Sequence, residues 1–222
     1  MRVAWRLARL SHLRFATLGV FFPALLALAM VALGYASNRI EWAAHDFGKY
    51  EPPAFFPHGL RLDPWLLLLF LAAFAEEFVF RGILQRRLIE RYGLYRGLVL
   101  VGVIWGAFHF STDRYSGLSD VGILQGLLSR LAICVAMGFV LSWLTLSSGS
   151  ILPATLAHGL SNIFLYAGLS NDLPFAEFVQ IGAWTLLAYL LFRYWPPQAE
   201  ADVGVLVTHA AVEPAISGGD AI

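Results

Sequence analysis

Six long apolar runs, separated by short polar or proline-containing segments, divide the chain of 222 residues. A run of about 17–25 apolar residues is the length that crosses a membrane as a helix. The pattern therefore predicts six membrane helices, at about 13–35, 64–80, 94–110, 121–146, 151–169 and 175–194. The first run, at about twenty residues, exceeds the 7–15 of a signal peptide, so we expect it to be retained as a helix.

Composition agrees with a chain that lies in the lipid bilayer. Hydrophobic residues make up 59% of it and charged residues only 14%, against about 25% charged in soluble domains. We therefore expect an all-α fold, a polytopic transmembrane helical bundle. The 15 basic and 15 acidic residues give a net charge of zero, which argues against a nucleic-acid partner.

Basic residues are unevenly placed between the two sides of this predicted bundle. One side carries Arg2, Arg6, Arg9, Arg14, Arg86, Arg87, Arg91, Arg96 and Arg193, and the other only Arg39, Lys49, Arg61 and Arg114. Because cytoplasmic loops are enriched in such residues, we expect both termini in the cytoplasm. The chain then divides into an N-terminal helix and outer loop (1–63), a core (64–195) and a disordered acidic tail (196–222).

The second apolar run contains charges, in the stretch AAFAEEFVFRGIL. Glu77 and Arg81 are four residues apart and share a helix face, which predicts an ion pair. Glu76 is rotated by about 100° and has no basic residue three or four positions away. An unpartnered carboxylate in an apolar setting is a good proton acceptor, which suits a general base. The alternative is that all three residues only join helices.

The third and fifth runs supply further polar side chains. Trp105 and His109 are four residues apart in IWGAFHF, and His158 and Asn162 are four apart in ATLAHGLSN. If Gly93 is the turn, Glu76 and His109 both lie about 24–26 Å from it and reach the same depth. His158 and Asn162 are hydrogen-bond donors facing one way; pairing with each other or with Arg130 is the alternative.

These side chains together fit the hydrolysis of an amide bond. A carboxylate and an imidazole can hold and deprotonate a water molecule, while donors stabilise the tetrahedral oxyanion. Neither the H-E-x-x-H pattern nor a cysteine-rich zinc pattern occurs. We therefore expect no cofactor and no metal.

Three motifs in order, EEFVFR, WGAFH and HGLSN, resemble those of the CPBP family over about 64–169. These are CAAX-prenyl-endopeptidase-like, glutamic-type intramembrane proteases, also called the Abi family. The resemblance implies that Glu76 activates water with His109, and that His158 and Asn162 form the oxyanion hole. It implies supporting roles for Glu77, Arg81 and Trp105. The family usually has Phe where this chain has Trp105, and we expect this difference to alter the shape of the cavity rather than the chemistry.

The resemblance also implies a membrane-anchored peptide or C-terminal tail as substrate. The short chain and basic N-terminus suggest a bacterial protein of the cytoplasmic membrane. Two other functions remain open at this point: a metal-dependent membrane protease with Glu76, His109 and His158 as ligands, and a non-catalytic membrane scaffold or chaperone. A proton-coupled carrier is disfavoured because no broken-helix repeat is evident.

Overall fold

The computed structural model describes residues 13–36, 64–114, 120–164 and 176–197, and every element within these ranges is helical. The elements are α1 (Leu13–Ala36), α2 (Pro64–Glu77), a π-helical segment (Phe78–Leu84), α3 (Gln85–Tyr92), α4 (Leu94–Arg114), α5 (Asp120–Ser148), α6 (Leu152–Phe164) and α7 (Ala176–Tyr194). Since α2, the π-helical segment and α3 are continuous, the described chain forms six helical stretches. The all-α fold predicted from the apolar runs is confirmed.

Some predicted features lie outside the described residues. These are the basic N-terminal residues 1–12, the outer loop, the predicted end of the fifth helix at 165–169, and the tail from residue 198 onwards. Within the described ranges, Leu13–Met30 and Leu124–Ser148 are long and apolar enough to cross a membrane. Leu94–His109 and Phe178–Tyr194 are shorter apolar segments. The fold is a helical membrane bundle.

Glycines allow the helices of this bundle to approach closely. A Cβ atom on Gly102 would lie 2.6 Å from Cα of Val135, and one on Gly106 would lie 3.0 Å from Cα of Leu131. The α4 and α5 backbones are therefore in contact, which is how small residues serve helix pairs in membranes. Gly159 of α6 packs in the same way against the Phe70 ring of α2.

The second predicted helix continues to Tyr92, with a change of hydrogen-bond pattern on the way. In the π-helical segment the backbone N–H groups reach back five residues, as from Gln85 to the carbonyl of Phe80. This continuous helix, made of α2, the π-helical segment and α3, then ends at Gly93, whose φ of 80° is readily adopted only by glycine. The predicted turn at Gly93 is confirmed, and α4 runs back antiparallel from it.

Aromatic contacts define one end of the bundle. The Tyr95 ring, two residues after the Gly93 turn, lies 6.0 Å from the Phe192 ring near the end of α7. Near the start of α1, Phe15 packs at 5.8 Å against Trp143, whose indole N–H donates to a carbonyl just beyond α7 at 2.6 Å. The start of α1, the turn and the end of α7 thus lie at the same end.

Candidate active site

Three helical stretches place polar side chains against one another in the interior of the bundle. Residues Glu76, Glu77 and Arg81 come from α2 and the π-helical segment, Trp105 and His109 from α4, and His158 and Asn162 from α6. All but Asn162 are joined by hydrogen bonds or lie within 4 Å of one another. They form two parts, which differ in their exposure.

The closed part contains Glu77, Arg81 and His158, all almost fully buried. Nη1 of Arg81 donates to Oε1 of Glu77 at 2.9 Å, so the predicted i,i+4 ion pair is present. Nδ1 of His158 lies 2.9 Å from the same oxygen. A carboxylate oxygen can only accept, so the His158 nitrogen is its second donor after Arg81. This hydrogen bond fixes the orientation of the imidazole ring.

The Arg81 guanidinium is held by more than its carboxylate partner. Its Cζ lies 4.3 Å from the centre of the Trp105 ring, within the range of a cation–π contact. A Cβ atom on Gly138 of α5 would lie 3.4 Å from Nη2 of Arg81, so glycine leaves room for the guanidinium there. A charge buried in an apolar bundle is thereby enclosed by a carboxylate, an aromatic face and a small residue.

The open part is centred on Glu76, whose side chain is 21% exposed. The indole N–H of Trp105 donates to Oε2 of Glu76 at 2.7 Å. Nε2 of His109 lies 3.7 Å from this same oxygen, and Nε2 of His158 lies 3.9 Å from it. One carboxylate oxygen thus has an indole donor and two imidazole nitrogens around it, with access from outside.

His109 is oriented by the main chain of its own helix. Its Nδ1 lies 2.9 Å from the carbonyl oxygen of Trp105, which can only accept, so Nδ1 carries the hydrogen. A neutral imidazole held in this way presents the lone pair of Nε2 towards Glu76. The Phe108 and Trp105 rings pack edge-on against it at 5.5 and 5.7 Å.

Asn162 lies one helical turn after His158 and is half-buried. No hydrogen bond joins its side-chain amide to another residue in the part of the chain that is described. Its neighbour Ser161 bonds back to the carbonyl of Ala157 at 2.7 Å and is thus satisfied within α6. Among the described residues, the Asn162 amide therefore has no partner that would compete with a ligand.

Two of these contacts differ from what residue spacing suggested. His158 was expected to pair with Asn162 or Arg130 if it served only the fold, whereas its partner is Glu77, 81 residues earlier. Trp105 was expected only to pack, but it also donates to Glu76. A buried indole N–H usually has a hydrogen-bond acceptor, so the presence of Trp105 among polar residues was the feature of the sequence that could have indicated this bond.

The same side chains bear on metal binding. Within the described ranges, no group of three or more His, Cys, Asp or Glu residues is arranged to hold a metal ion. Glu76, His109 and His158 nevertheless have potential ligand atoms within 4 Å of Oε2 of the glutamate. The three side chains therefore surround one carboxylate oxygen without forming a metal-holding group among the described residues.

Comparisons with known proteins cover the part of the chain that carries this site. Residues 60–164, which include all seven residues, match the family described as type II CAAX prenyl endopeptidase, Rce1-like. The CAAX prenyl protease 2 of Methanococcus maripaludis is 34% identical over 107 residues, 45% of this chain and 39% of that protein. The chain thus spans well under half the length of this relative.

Proposed function

We propose that residues 60–164, which match the Rce1-like CAAX prenyl endopeptidase family, form a glutamic-type intramembrane endopeptidase domain. It hydrolyses a peptide bond in a membrane-anchored peptide or C-terminal tail. One observation carries the proposal: a partly exposed carboxylate, Glu76, with two imidazole nitrogens within 4 Å of one of its oxygens. Base, orienting groups and oxyanion donors are then available without a covalent nucleophile.

Water activation follows from the hydrogen-bond roles around Glu76. The Glu76 carboxylate and the Nε2 lone pair of His109 are both acceptors, 3.7 Å apart. A water molecule bound between them donates one hydrogen to each and directs its oxygen lone pair at the substrate carbonyl. Glu76 takes the proton as the oxygen attacks, and general-base catalysis of this kind contributes about 10²–10⁴-fold.

The oxyanion is stabilised from the α6 side. His158 donates through Nδ1 to Glu77, so its Nε2 faces the Glu76 side of the site. When Nε2 also carries a hydrogen, it is a donor directed at this side of the site. The Asn162 amide, without another described partner, is the second donor to the developing oxyanion.

A metal-dependent hydrolysis is the second candidate. Glu76, His109 and His158 bring one oxygen and two nitrogens together, and the bonds of Nδ1 to a carbonyl and a carboxylate are typical of metal-binding histidines. Here the ion would polarise the water, and Glu76 would be a ligand rather than the base. If the protein were instead a non-catalytic scaffold, the charge of Glu76 in the open part would be dispensable for its biological activity.

The setting proposed for the reaction is a membrane with the arginine-rich end of the bundle in the cytoplasm. Arg14, Arg96 and Arg193 lie at the end defined by the Gly93 turn, as the positive-inside rule requires of a cytoplasmic face. Both termini are then cytoplasmic, and we place the protein in a bacterial cytoplasmic membrane. Glu76 and His109 lie farther from this end, which favours a substrate that enters from the outer half.

Cleavage of membrane-anchored peptides tests the proposal directly. Wild type and Glu76→Gln, matched by thermal melt, are reconstituted in liposomes with a mixture of such peptides, including prenylated ones, with and without EDTA, and products are read by mass spectrometry. We expect cleavage by the wild type only, unchanged by EDTA. Loss of cleavage on chelation would support the metal site, and unchanged biological activity of Glu76→Gln in the host would support the scaffold.

A further inference from the structure

A cavity of about 860 Å³ lies between α4, α5 and α7. None of its lining residues belongs to the candidate active site. Its wall includes Tyr95, Leu131, Phe139, Thr185, Ala188 and Arg193. Since Tyr95, Thr185 and Arg193 are exposed at the rim and Ala188 is buried in the floor, the cavity is a groove open to the outside of the bundle. Its size is that of a ligand pocket.

The groove changes character along its length. The α5 side is lined by Leu131, Val135 and Phe139, none of which can form a hydrogen bond through its side chain. Arg193 stands at the opposite end from Leu131, beside the Tyr95–Phe192 contact that marks the end of the bundle. A molecule that fits has a long apolar part and a negative charge at one end.

Its length matches one leaflet of a bilayer. Along α7 the lining extends from Ile181 to Arg193, a rise of about 18 Å at about 1.5 Å per residue. Half of a hydrocarbon core of about 30 Å is about 15 Å. An acyl chain of the leaflet at this end would therefore run the length of the groove, with its head group level with Arg193.

Charge at this end favours an anionic head group. The segment 85–97 carries Arg86, Arg87, Arg91 and Arg96 but only one acid, Glu90. Glu90 is paired with Arg86 at 2.7 Å, which leaves the net charge of the segment positive. Arginine binds phosphate through its planar, paired N–H groups, so Arg193 at the mouth of an apolar groove is suited to a phosphodiester.

We infer that this groove binds one anionic phospholipid from the leaflet at the arginine-rich end. The phosphate contacts Arg193, and one acyl chain lies between α5 and α7. Bound there, the lipid packs against α5, the helix that encloses Arg81 through Gly138. The inference concerns binding to a surface separate from the active site, so it stands or falls independently of the proposed cleavage.

Lipid binding to the purified full chain tests the inference. Protein stripped of lipid by detergent exchange is titrated with phosphatidylglycerol or phosphatidylcholine, and bound lipid is counted by native mass spectrometry. We expect one phosphatidylglycerol, bound more tightly than phosphatidylcholine. Arg193→Gln should weaken the anionic lipid about five- to ten-fold, the effect of one basic residue near an anionic surface, whereas exposed Arg87→Gln, which does not line the groove, should not. Arg193→Lys should retain most of the binding.

A second pair of variants tests the apolar part of the groove. Thr185→Trp fills it from an exposed position and should reduce binding of both lipids, while Leu186→Trp, exposed on the same helix but outside the lining, should not. The inference is overturned if wild type retains neither lipid, if the two lipids bind equally, or if either test variant behaves like its control. Displacement of phosphatidylglycerol by a prenylated peptide at lower concentration would assign the groove to substrate instead.

Discussion

Glu76 and Glu77 are neighbours in the chain, yet they lie in opposite environments. Glu77 is fully buried and shares one oxygen between Arg81 and His158. Glu76 is 21% exposed, and its described partners are a neutral indole and imidazole nitrogens beyond direct hydrogen-bond distance. A step of one residue turns a helix by about 100°, which is enough to move a carboxylate from a fully buried to a partly exposed position.

The difference shows how a membrane helix can carry charge for two purposes. In the closed part, the charges of Glu77 and Arg81 neutralise each other, and Glu77 holds the imidazole of His158 in place. Removing either charge leaves the other uncompensated. In the open part, the carboxylate has no cation bound to it directly and remains available to a proton. We therefore expect the closed part to control folding and the open part to control turnover.

The same substitution at both positions should separate the two roles. Glu76→Gln keeps the shape and removes the base, so we expect cleavage to fall by about 10²–10⁴-fold with an unchanged melting temperature. Glu77→Gln removes the charge that compensates the buried Arg81 but keeps an amide oxygen that can accept from it, and should lower the free energy of unfolding by about 3 kcal/mol, the lower end of the range for breaking a buried ion pair. Thermal melts and initial rates of the two purified variants measure both effects.

The opposite result would exchange the roles of the two glutamates. If Glu76→Gln failed to fold while Glu77→Gln melted like wild type, the ion pair would not be the element that stabilises this region. Equal tolerance of both changes, in melting and in turnover, would exclude the whole cluster as an active site.

Arg81→Ala should be the most damaging change to folding itself. It leaves Glu77 as a buried charge without its cation, which costs about 3–5 kcal/mol. Arg87→Ala removes an exposed arginine of the same continuous helix and should change the stability by less than about 0.5 kcal/mol. The yield of folded protein and its melting temperature compare the two; similar melts would show that the buried ion pair is not needed.

A double variant distinguishes loss of balance from loss of the pair. Glu77→Leu combined with Arg81→Met replaces both charges by apolar groups of similar volume, which is often neutral for stability. We expect it to melt well above Arg81→Ala. It should nevertheless cleave poorly, because the Nδ1 partner of His158 is gone. Activity equal to wild type would show that Glu77 does not orient His158.

Several parts of this arrangement could be predicted from the sequence. The lengths of the apolar runs predicted six helical stretches, and the four-residue spacing predicted the ion pair between Glu77 and Arg81. Equal distances from Gly93 placed Glu76 and His109 at one depth, and the two side chains do approach to 3.7 Å. Each of these follows from local geometry, with one rise per residue and one turn between two antiparallel helices.

The contacts that could not be predicted depend on how helices are rotated against each other. The bond between His158 and Glu77 joins α6 to α2, and no local spacing relates residues 81 positions apart. The change to π-helical hydrogen bonding at Phe78–Leu84 was also not predicted, because the apolar run ends at about residue 80 and nothing in the sequence around Arg81 indicates a change of helix type. Tertiary packing decides both features, and one sequence alone contains no record of it.

Asn162→Ala should reduce turnover without harming the fold. Its amide has no partner among the described residues, so its loss leaves no buried group unsatisfied. Removal of one oxyanion donor costs about 10²–10³ in rate. The control is Ser161→Ala, which removes only a hydroxyl bonded within α6 and should leave the rate within a few-fold. If the two variants turned over equally fast, Asn162 would have no place in the oxyanion hole.

Trp105→Phe should have the smallest effect, and it tests the link between the two parts. Phenylalanine keeps an aromatic ring near Arg81 and His158 but loses the N–H that donates to Glu76 at 2.7 Å. We expect kcat to fall about ten-fold, which is about 1.4 kcal/mol and close to the lower limit for one hydrogen bond to a charged group, with little change in melting temperature. Trp105→Leu also removes the ring face over Arg81 and should melt lower. If Trp105→Phe lost as much stability as Trp105→Leu, an aromatic ring at this position would not be sufficient to stabilise Arg81. The indole N–H would then be needed for the stability of the closed part.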